Sequence, residues 1–507
     1  MLENLVELLT SDAIIWLIMG VSLGLVFGAI PGLSATLAVV LLIPFTYSLS
    51  AETGIATLIG AYVGGISGGL VAAIMINMPG TPSSVATTFD GFPMAKQGRA
   101  GKALGVGVIS SFFGTLFSWG ALVLFAPKLS AITLKFGPYE MVGAILFGLT
   151  AVISLSGESL HKGLVSAALG LALCLIGIEN GSFAKRATFN NPMLAGGIPY
   201  MPALIGMFVI SEVLNQFEKI DEKYLVPKQK LKGAYMTLKE FIESLPNMIR
   251  SSFVGLLIGI LPGIGGSFAN FVTYDLAKRS SKHPETFGKG NYQGVVASES
   301  GNNATIGGAL IPMVCLGIPG DIVTAALMGG LMLKNASPGP YFMREHGDLA
   351  NTIFNSLLIA SLVMLVIMLL IAIRVFAVVL RLPKYVMLPL VLVMALAGIY
   401  NINYSIPEMF VGLIMGVFGY MLDKFKYPKT PLVITLILGK SLELYFRRGL
   451  VLSSGSLLPF VQRPYSLAFL ILTVIALAVP FVSKARKKAK AKEENGNTAP
   501  KESEVQE

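Results

Sequence analysis

The stretch that most constrains this chain is AYVGGISGGLVAAIMINMPGTPSSVATTFDGFP, residues 61–93. It is apolar and glycine-dense, and it runs into Asn77, Pro79, Gly80, Thr81, Pro82, Ser83 and Ser84. In water such a segment would be an ordinary loop. In hydrocarbon, irregular backbone persists only where it lines a cavity or is buried in protein, because each freed N–H or C=O is unsatisfied there. With 54% hydrophobic and 13% charged residues over 507 positions, the chain reads as an all-α polytopic membrane protein. Soluble domains carry about 25% charged residues. The polar break is therefore a candidate binding site.

The break recurs. Laying residues 62–80 over 302–320 matches Ile66 with Ile306, Gly68 with Gly308, Leu70 with Leu310, Pro79 with Pro319 and Gly80 with Gly320. Upstream, GAIPGLSAT at 28–36 lies over GILPGIGGS at 259–267, pairing Gly28 with Gly259, Pro31 with Pro262 and Gly32 with Gly263. Four of the five Pro-Gly dipeptides in the chain are these. Two motifs repeated in the same order argue for an internal duplication, an arrangement in which transporter sites form where broken helices of the two repeats meet.

The net charge of +10 does not point to nucleic acid, since the bases sit in short loops and in the tail KARKKAKAK at 484–492. In a membrane protein such clusters report the cytoplasmic side. The first residues, MLENLVELLTSD, carry no base, so the first apolar span is expected to be retained rather than cleaved as a signal peptide. Cys174 and Cys315 stand alone in apolar segments, and His161, His283 and His346 are scattered. Neither a disulfide framework nor a transition-metal site is expected.

Apolar runs able to cross about 30 Å of hydrocarbon are placed at 11–30, 33–49, 54–78, 103–126, 138–155, 160–177 and 202–217. After a polar segment come 242–261, 263–277, 293–316, 352–373, 385–400, 406–422 and 464–482. The runs 80–93 and 319–333 read as re-entrant, which gives 12 to 14 transmembrane helices plus re-entrant or broken ones. The run 430–452, interrupted by Lys440, Glu443, Arg447 and Arg448, reads either as a broken crossing or as a surface helix. The expected organisation is an N-terminal membrane repeat at 1–217, a cytoplasmic linker at 218–241, a C-terminal membrane repeat at 242–483 and a basic, then disordered tail at 484–507.

Loop charge tests this order. With an acidic N-terminus outside, Lys96, Arg99 and Lys102, the linker lysines (Lys219, Lys223, Lys228, Lys230, Lys232, Lys239), and Lys278, Arg279, Lys282 and Lys289 all fall inside. Arg374, Arg381 and Lys384 also fall inside, while Lys185 and Arg186 are the exception. The turn at 47–53 falls outside although its counterpart, the basic loop 278–289, falls inside. Equivalent loops on opposite sides mean two inverted-topology repeats.

Proline in a first helical turn, with glycine beside it, suits a half-helix start. Such a start carries the equivalent of about half a positive charge and binds carboxylate or phosphate through backbone N–H groups. The expected anion cradle is Gly32, Ser34 and Thr36 at the first break, with Asn77, Gly80, Thr81, Ser83 and Ser84 at the second. The other half supplies Gly263, Gly265, Ser267, Gly320 and Thr324. For each hydroxyl, capping or back-bonding to its own helix stands beside this reading. SESGNNATIGG at 298–308 offers cation-binding oxygens on Ser298, Glu299, Asn302, Asn303 and Thr305, with Asp321 beyond. A buried intramembrane carboxylate points to function; the alternative is that this stretch is an exposed helix mouth. Asp321 and Asp90 read equally as caps, cation ligands or interfacial groups. Gly64, Gly65, Gly68, Gly69, Gly307 and Gly308 read as close helix packing. Gly439, Lys440 and Ser441 end like a P-loop, but Ile434 stands where its first glycine belongs.

At these residues the sequence resembles the large membrane subunit of the tripartite tricarboxylate transporter family, the TctA type. The resemblance spans about residues 10–480. It is carried by GAIPGLSATLAVVLLIPFTY at 28–47, by GGISGGLVAAIMINMPGTPSSVATTFDGFPMAKQGRAGKALG at 64–105, by GILPGIGGSFANFVTYDLAKRSSKHPETFGKG at 259–290 and by SESGNNATIGGALIPMVCLGIPGD at 298–321. It implies a bacterial inner-membrane secondary transporter, not an enzyme, that imports citrate or another carboxylate with Na+ or another cation. It also implies two partners, a small four-helix membrane subunit (TctB type) and a periplasmic solute-binding protein (TctC type). An anion channel using the same half-helix ends is the rival reading. A transferase or hydrolase would need a nucleophile, base or metal cluster that the scattered histidines and lone cysteines do not supply.

Overall fold

The computed structural model describes residues 1–155, 159–179, 183–220, 236–263, 265–372, 383–478 and 481. Most of the linker 218–241, the tail 484–507, and Arg374 and Arg381 lie outside the described residues. In the first half the main helices are α1 (Leu2–Thr10), α2 (Ala13–Ala29), α3 (Ala35–Thr46), α4 (Ala51–Ile76) and α5 (Thr87–Lys96). They are followed by α6 (Ala100–Thr133), α7 (Pro138–Leu155), α8 (Leu160–Cys174) and α9 (Tyr200–Phe217). The second half holds α10 (Leu238–Ile260), α11 (Gly265–Ser280), α12 (Tyr292–Leu316), α13 (Ile322–Leu333) and α14 (Gly347–Leu370). It closes with α15 (Lys384–Asn403), α16 (Ile406–Lys424), α17 (Lys429–Leu452) and α18 (Pro464–Ala478). Among the described residues a single antiparallel ladder pairs Gly177–Ile178 with Lys185–Arg186.

Among the described residues six helices are long and apolar enough to cross a membrane, and a seventh span results if α1 and α2, bent by 79°, are taken as one. This is fewer than the 12 to 14 expected from apolar runs. The difference has a physical cause. α3, α8 and α18, each placed on a run counted as a span, are shorter apolar helices. α10 and α12 are long, but they carry polar side chains such as Ser252, Glu299, Asn302 and Asn303 that are buried against protein. The run 430–452 is one unbroken helix, buried from Pro431 to Gly439 and charged beyond. Arg186, the exception to the loop-charge pattern, is paired with Glu443 at 2.7 Å and Glu179 at 3.1 Å.

Glycines set the central packing. A Cβ on Gly20, Gly24 or Gly28 of α2 would overlap the carbonyl oxygens of Thr57, Ala61 and Gly65 on α4. In the second half Gly255 and Gly259 of α10 meet Gly301 and Thr305 of α12 in the same way. Such contact lets backbones approach where no hydrophobic effect drives helices together. Within each set the spacing between partners is constant, so α2 runs parallel to α4 and α10 runs parallel to α12. α4 and α12 run in opposite directions: Ser67 meets Asn303, and further along α4 Leu70 shares a contact on Gly107 with the earlier Val295.

Clasps at opposite ends tie these pairs down. Lys334 donates to the carbonyls of Tyr47 (2.7 Å) and Leu49 (2.6 Å), beside the start of α4. Gln97 donates to the Lys289 carbonyl at 2.9 Å and Arg99 to the Gly290 carbonyl at 2.8 Å, beside the start of α12. The halves also exchange helices. α6 packs on α10 and α12, whereas α14 packs on α2 and α4. Around them α9 lies with α15 and α16, and α7 and α8 lie with α17.

Candidate functional site

Each break is built by equivalent residues. Asn77 (φ 58°) ends α4 and Gly317 (φ 68°) ends α12, both in the left-handed region. Gly32 (φ 89°) and Gly263 (φ 83°) make the corresponding turns before α3 and α11, a conformation that favours glycine. A Cβ on Gly80 would overlap the Gly28 carbonyl, and one on Gly320 would sit 2.7 Å from the Gly259 carbonyl. Ser34 accepts a bond from the Leu37 N–H and so caps α3. Asp321 and Thr324 form a reciprocal capping box at the start of α13. The hydroxyls of Thr81, Ser83 and Ser84 bond one another at 3.0–3.1 Å.

These ends converge. A cavity of 930 Å³ is walled by the first residues of α3 (Ser34, Ala35, Thr36), of α11 (Gly265, Gly266, Ser267) and of α13 (Ile322, Val323), with Asp321 and the turn Gly80–Ser83. Of the expected anion cradle, Gly32, Ser34, Thr36, Gly80, Thr81, Ser83, Gly263, Gly265 and Ser267 line it. Asn77, Ser84, Gly320 and Thr324 do not; they terminate α4, brace Thr81, pack under the break and cap α13. Of the expected cation ligands only Asp321 faces the cavity, where its carboxylate already accepts from Tyr62 (2.6 Å) and from the Thr324 N–H (2.7 Å) and hydroxyl (2.8 Å).

The mouth comes from residues that the Pro-Gly motifs do not reveal. Glu212, Asn215, Gln216, Glu218 and Lys219, from the end of α9, face Asp423, Lys424, Lys426 and Lys429 between α16 and α17. Asn215 and Lys429 both donate to Asp423, at 2.6 and 2.7 Å. Lys424 and Tyr420 donate to Glu218, and they hold its carboxyl below the usual range. The signal available in the sequence was the spacing of Glu212, Asn215 and Gln216, one polar face on an otherwise apolar helix.

Behind the cavity α12 is fully buried from Gly294 to Cys315, so the SESGNNATIGG stretch is not an exposed mouth. Its polar groups divide between two faces at helical spacing. Glu299 and Asn303 face α4, α5 and α6. Thr87 donates to Glu299 Oε1 at 2.5 Å, Ser111 to Oε2 at 3.0 Å, and Asn303 to Oε2 at 3.4 Å, while Ser67 donates to Asn303 Oδ1 at 2.7 Å. No cationic side chain pairs with Glu299 among the described residues. On the second face lie Ser298, Asn302 and Thr305. Ser298 bonds Thr87 at 3.1 Å and Asn270 donates to its carbonyl at 3.2 Å, while Thr305 donates to the Asn302 carbonyl at 2.6 Å. Thr87, Ser111, Ser67 and Asn270 were invisible as site residues in the sequence, because nothing in the order of the chain ties them to position 299. Asp90 braces the turn before α12: its Oδ1 accepts from the N–H groups of Gly288, Gly290 and Asn291, and Tyr274 donates to its Oδ2.

The family model described as "Tripartite tricarboxylate transporter TctA family" matches residues 14–434 of the chain. The chain belongs to the tripartite tricarboxylate transporter TctA family. Among its curated relatives are two proteins of Agrobacterium vitis. The "Uncharacterized 52.8 kDa protein in TAR-I ttuC' 3'region" is 32% identical over 480 residues, 95% of each chain. The "Uncharacterized protein in TAR-II ttuC' 3'region" is 32% identical over 234 residues, 46% of this chain and 96% of that protein. As a TctA family chain with several long apolar helices, this is a multi-pass membrane protein and a subunit of a tripartite transporter. The family model covers all four Pro-Gly breaks and the α12 polar layer.

Proposed function

We propose that this chain is the large transmembrane subunit of a binding-protein-dependent secondary transporter that imports citrate or another di- or tricarboxylate by alternating access, driven by a Na+ or H+ gradient. The observation that carries the reading is the convergence of helix starts from both halves on one cavity, in a TctA family chain. The starts of α3, α11 and α13 offer N–H groups without intrahelical acceptors, so an anion can be held without an arginine in the inner wall. We place the coupling cation at Glu299, with Ser298 and Asn303 beside it, since a buried carboxylate met only by neutral donors has a place for a proton or a small cation.

Two inverted repeats, 1–217 and 242–483 joined by a linker at 218–241, account for the opposed directions of α2 with α4 and α10 with α12. With the linker and tail in the cytoplasm and the N-terminus in the periplasm of a bacterial inner membrane, the mouth at Glu218 and Lys219 opens inward. The partners are a small four-helix membrane subunit and a periplasmic solute-binding protein, the other two members that "tripartite" requires. Selectivity among carboxylates is shared with the binding protein, because helix starts recognise charge and size.

The test is uptake of labelled citrate, tartrate and succinate into proteoliposomes that hold this chain with both partners, with and without an inward Na+ or H+ gradient. Saturable, gradient-dependent uptake is expected. Flux that neither saturates nor follows a gradient would establish the anion channel instead.

A further inference from the structure

The alignment of 62–80 with 302–320 continues past the break, setting Thr81 against Asp321 and Ser84 against Thr324, and it sets Tyr62 against Asn302. The structure makes the two places comparable. Tyr62 on α4 reaches across to the start of α13 and donates to Asp321 at 2.6 Å. Asn302 on α12 reaches across to the turn at Thr81–Ser84, where a Cβ on Gly266 would overlap Asn302 Oδ1 and lie 3.1 Å from Ser83 Cβ and 3.3 Å from Thr305 Oγ1.

One place is complete and the other is not. In the second half the Asp321 carboxylate collects the Tyr62 hydroxyl and the Thr324 N–H and hydroxyl. In the first half Thr81 stands where the carboxylate would be, with only hydroxyl contacts to Ser83 and Ser84. Asn302 is 0% exposed, yet neither its Oδ1 nor its Nδ2 has a hydrogen-bond partner among the described residues. A buried amide without partners is unfavourable, and such groups mark places that something else completes. The neighbouring Ser83 and Gly266 both line the cavity. Gly266 belongs to the first turn of α11, a helix of 16 residues whose leading N–H groups have no intrahelical acceptor.

We propose that Asn302, with Ser83, Thr81 and the start of α11, receives one carboxylate of the transported anion in the place that Asp321 fills with an internal carboxylate in the other half. The inference rests on the carboxylate-transport reading above. It moves Asn302 from the cation set to the substrate. A cation could also use the oxygens of Asn302, Ser83 and Thr305, but the positive end of α11 opposes it, and the matching place already holds an anionic group.

The test is equilibrium binding of radiolabelled citrate, tartrate or succinate to the purified full chain in nanodiscs, titrated against Na+. Asn302→Ala is expected to weaken carboxylate binding at saturating Na+ by about 10- to 100-fold, the range for a lost bond to a charged group, with the Na+ requirement unchanged. Thr81→Asp supplies an internal carboxylate and is expected to abolish binding, whereas the uncharged Thr81→Asn binds at least about tenfold more tightly than Thr81→Asp. A shifted Na+ requirement with unchanged affinity at saturating Na+ in Asn302→Ala would make this a cation place and overturn the proposal. Wild-type affinity in Thr81→Asp would do the same, and this pair decides the matter if Asn302→Ala does not fold. If the wild type itself binds no carboxylate, the transport reading fails and the inference falls with it.

Discussion

Two single positions show how differently buried polar groups and glycines act in this protein. Glu299 satisfies Thr87, Ser111 and Asn303 at once. Glu299→Ala opens a void and strands the Ser111 hydroxyl, and a stranded buried group costs about 1–3 kcal/mol, so a clear fall in melting temperature is expected in detergent. Glu299→Gln keeps the shape and most of the bonds. It should melt near the wild type while uptake loses its dependence on the cation gradient; a coupled Glu299→Gln protein would remove Glu299 from the coupling site. Among glycines, position 80 has the Gly28 carbonyl against it and position 120 has nothing within 4 Å. Overpacking costs about 1–3 kcal/mol, so Gly80→Ala should lower thermal stability while Gly120→Ala leaves it unchanged.

At the scale of elements, the broken segments depend on their caps and the outer helices on ion pairs. Asp321 holds the first turn of α13 through Thr324. Removing such a cap costs about 0.5–2 kcal/mol, and Asp321→Ala should speed amide exchange at 322–326 without melting α11. The short ladder at Gly177–Ile178 and Lys185–Arg186 is tied to α17 by Arg186, which bridges Glu179 and Glu443, with Arg447 bridging the same two acids. Partly exposed pairs of this kind contribute roughly 0.2–1 kcal/mol each. Arg186→Ala is therefore expected to raise protease cleavage within 177–191 while leaving the global melting temperature within about 1–2 °C; a large global shift would mean that α17 itself depends on the pairing.

For the whole molecule, the proposed alternating access rests on the arrangement of α2 and α4 against α10 and α12, because two matched bundles can tilt about a shared cavity. The start of α4 and the start of α12 lie at opposite ends, marked by the Lys334 and Gln97 clasps. Both native cysteines are free and buried, so they give little background to membrane-impermeant thiol reagents. Ser48→Cys should then label from the periplasmic face of intact cells and Lys289→Cys only after the inner membrane is opened. Labelling of both from one face would refute the inverted arrangement.

Much of this was legible in the chain itself. The membrane class follows from composition, since no soluble fold leaves so few charges to face water, and the breaks follow from Pro-Gly doublets, which fix local backbone whatever surrounds them. The pairing of Gly32 with Gly263 and Gly80 with Gly320 needed only residue identity and order. Two partners of Glu299 were not legible, because Thr87 and Ser111 become its neighbours only when α5 and α6 are folded against α12, whereas Asn303 lies one turn along the same helix. The charged mouth from Glu212 to Lys429 arises likewise, from helices that approach across the two halves. Local sequence sets where a helix stops and which groups it leaves unpaired. Only tertiary packing decides which of those groups find partners and which, like the Asn302 amide, do not.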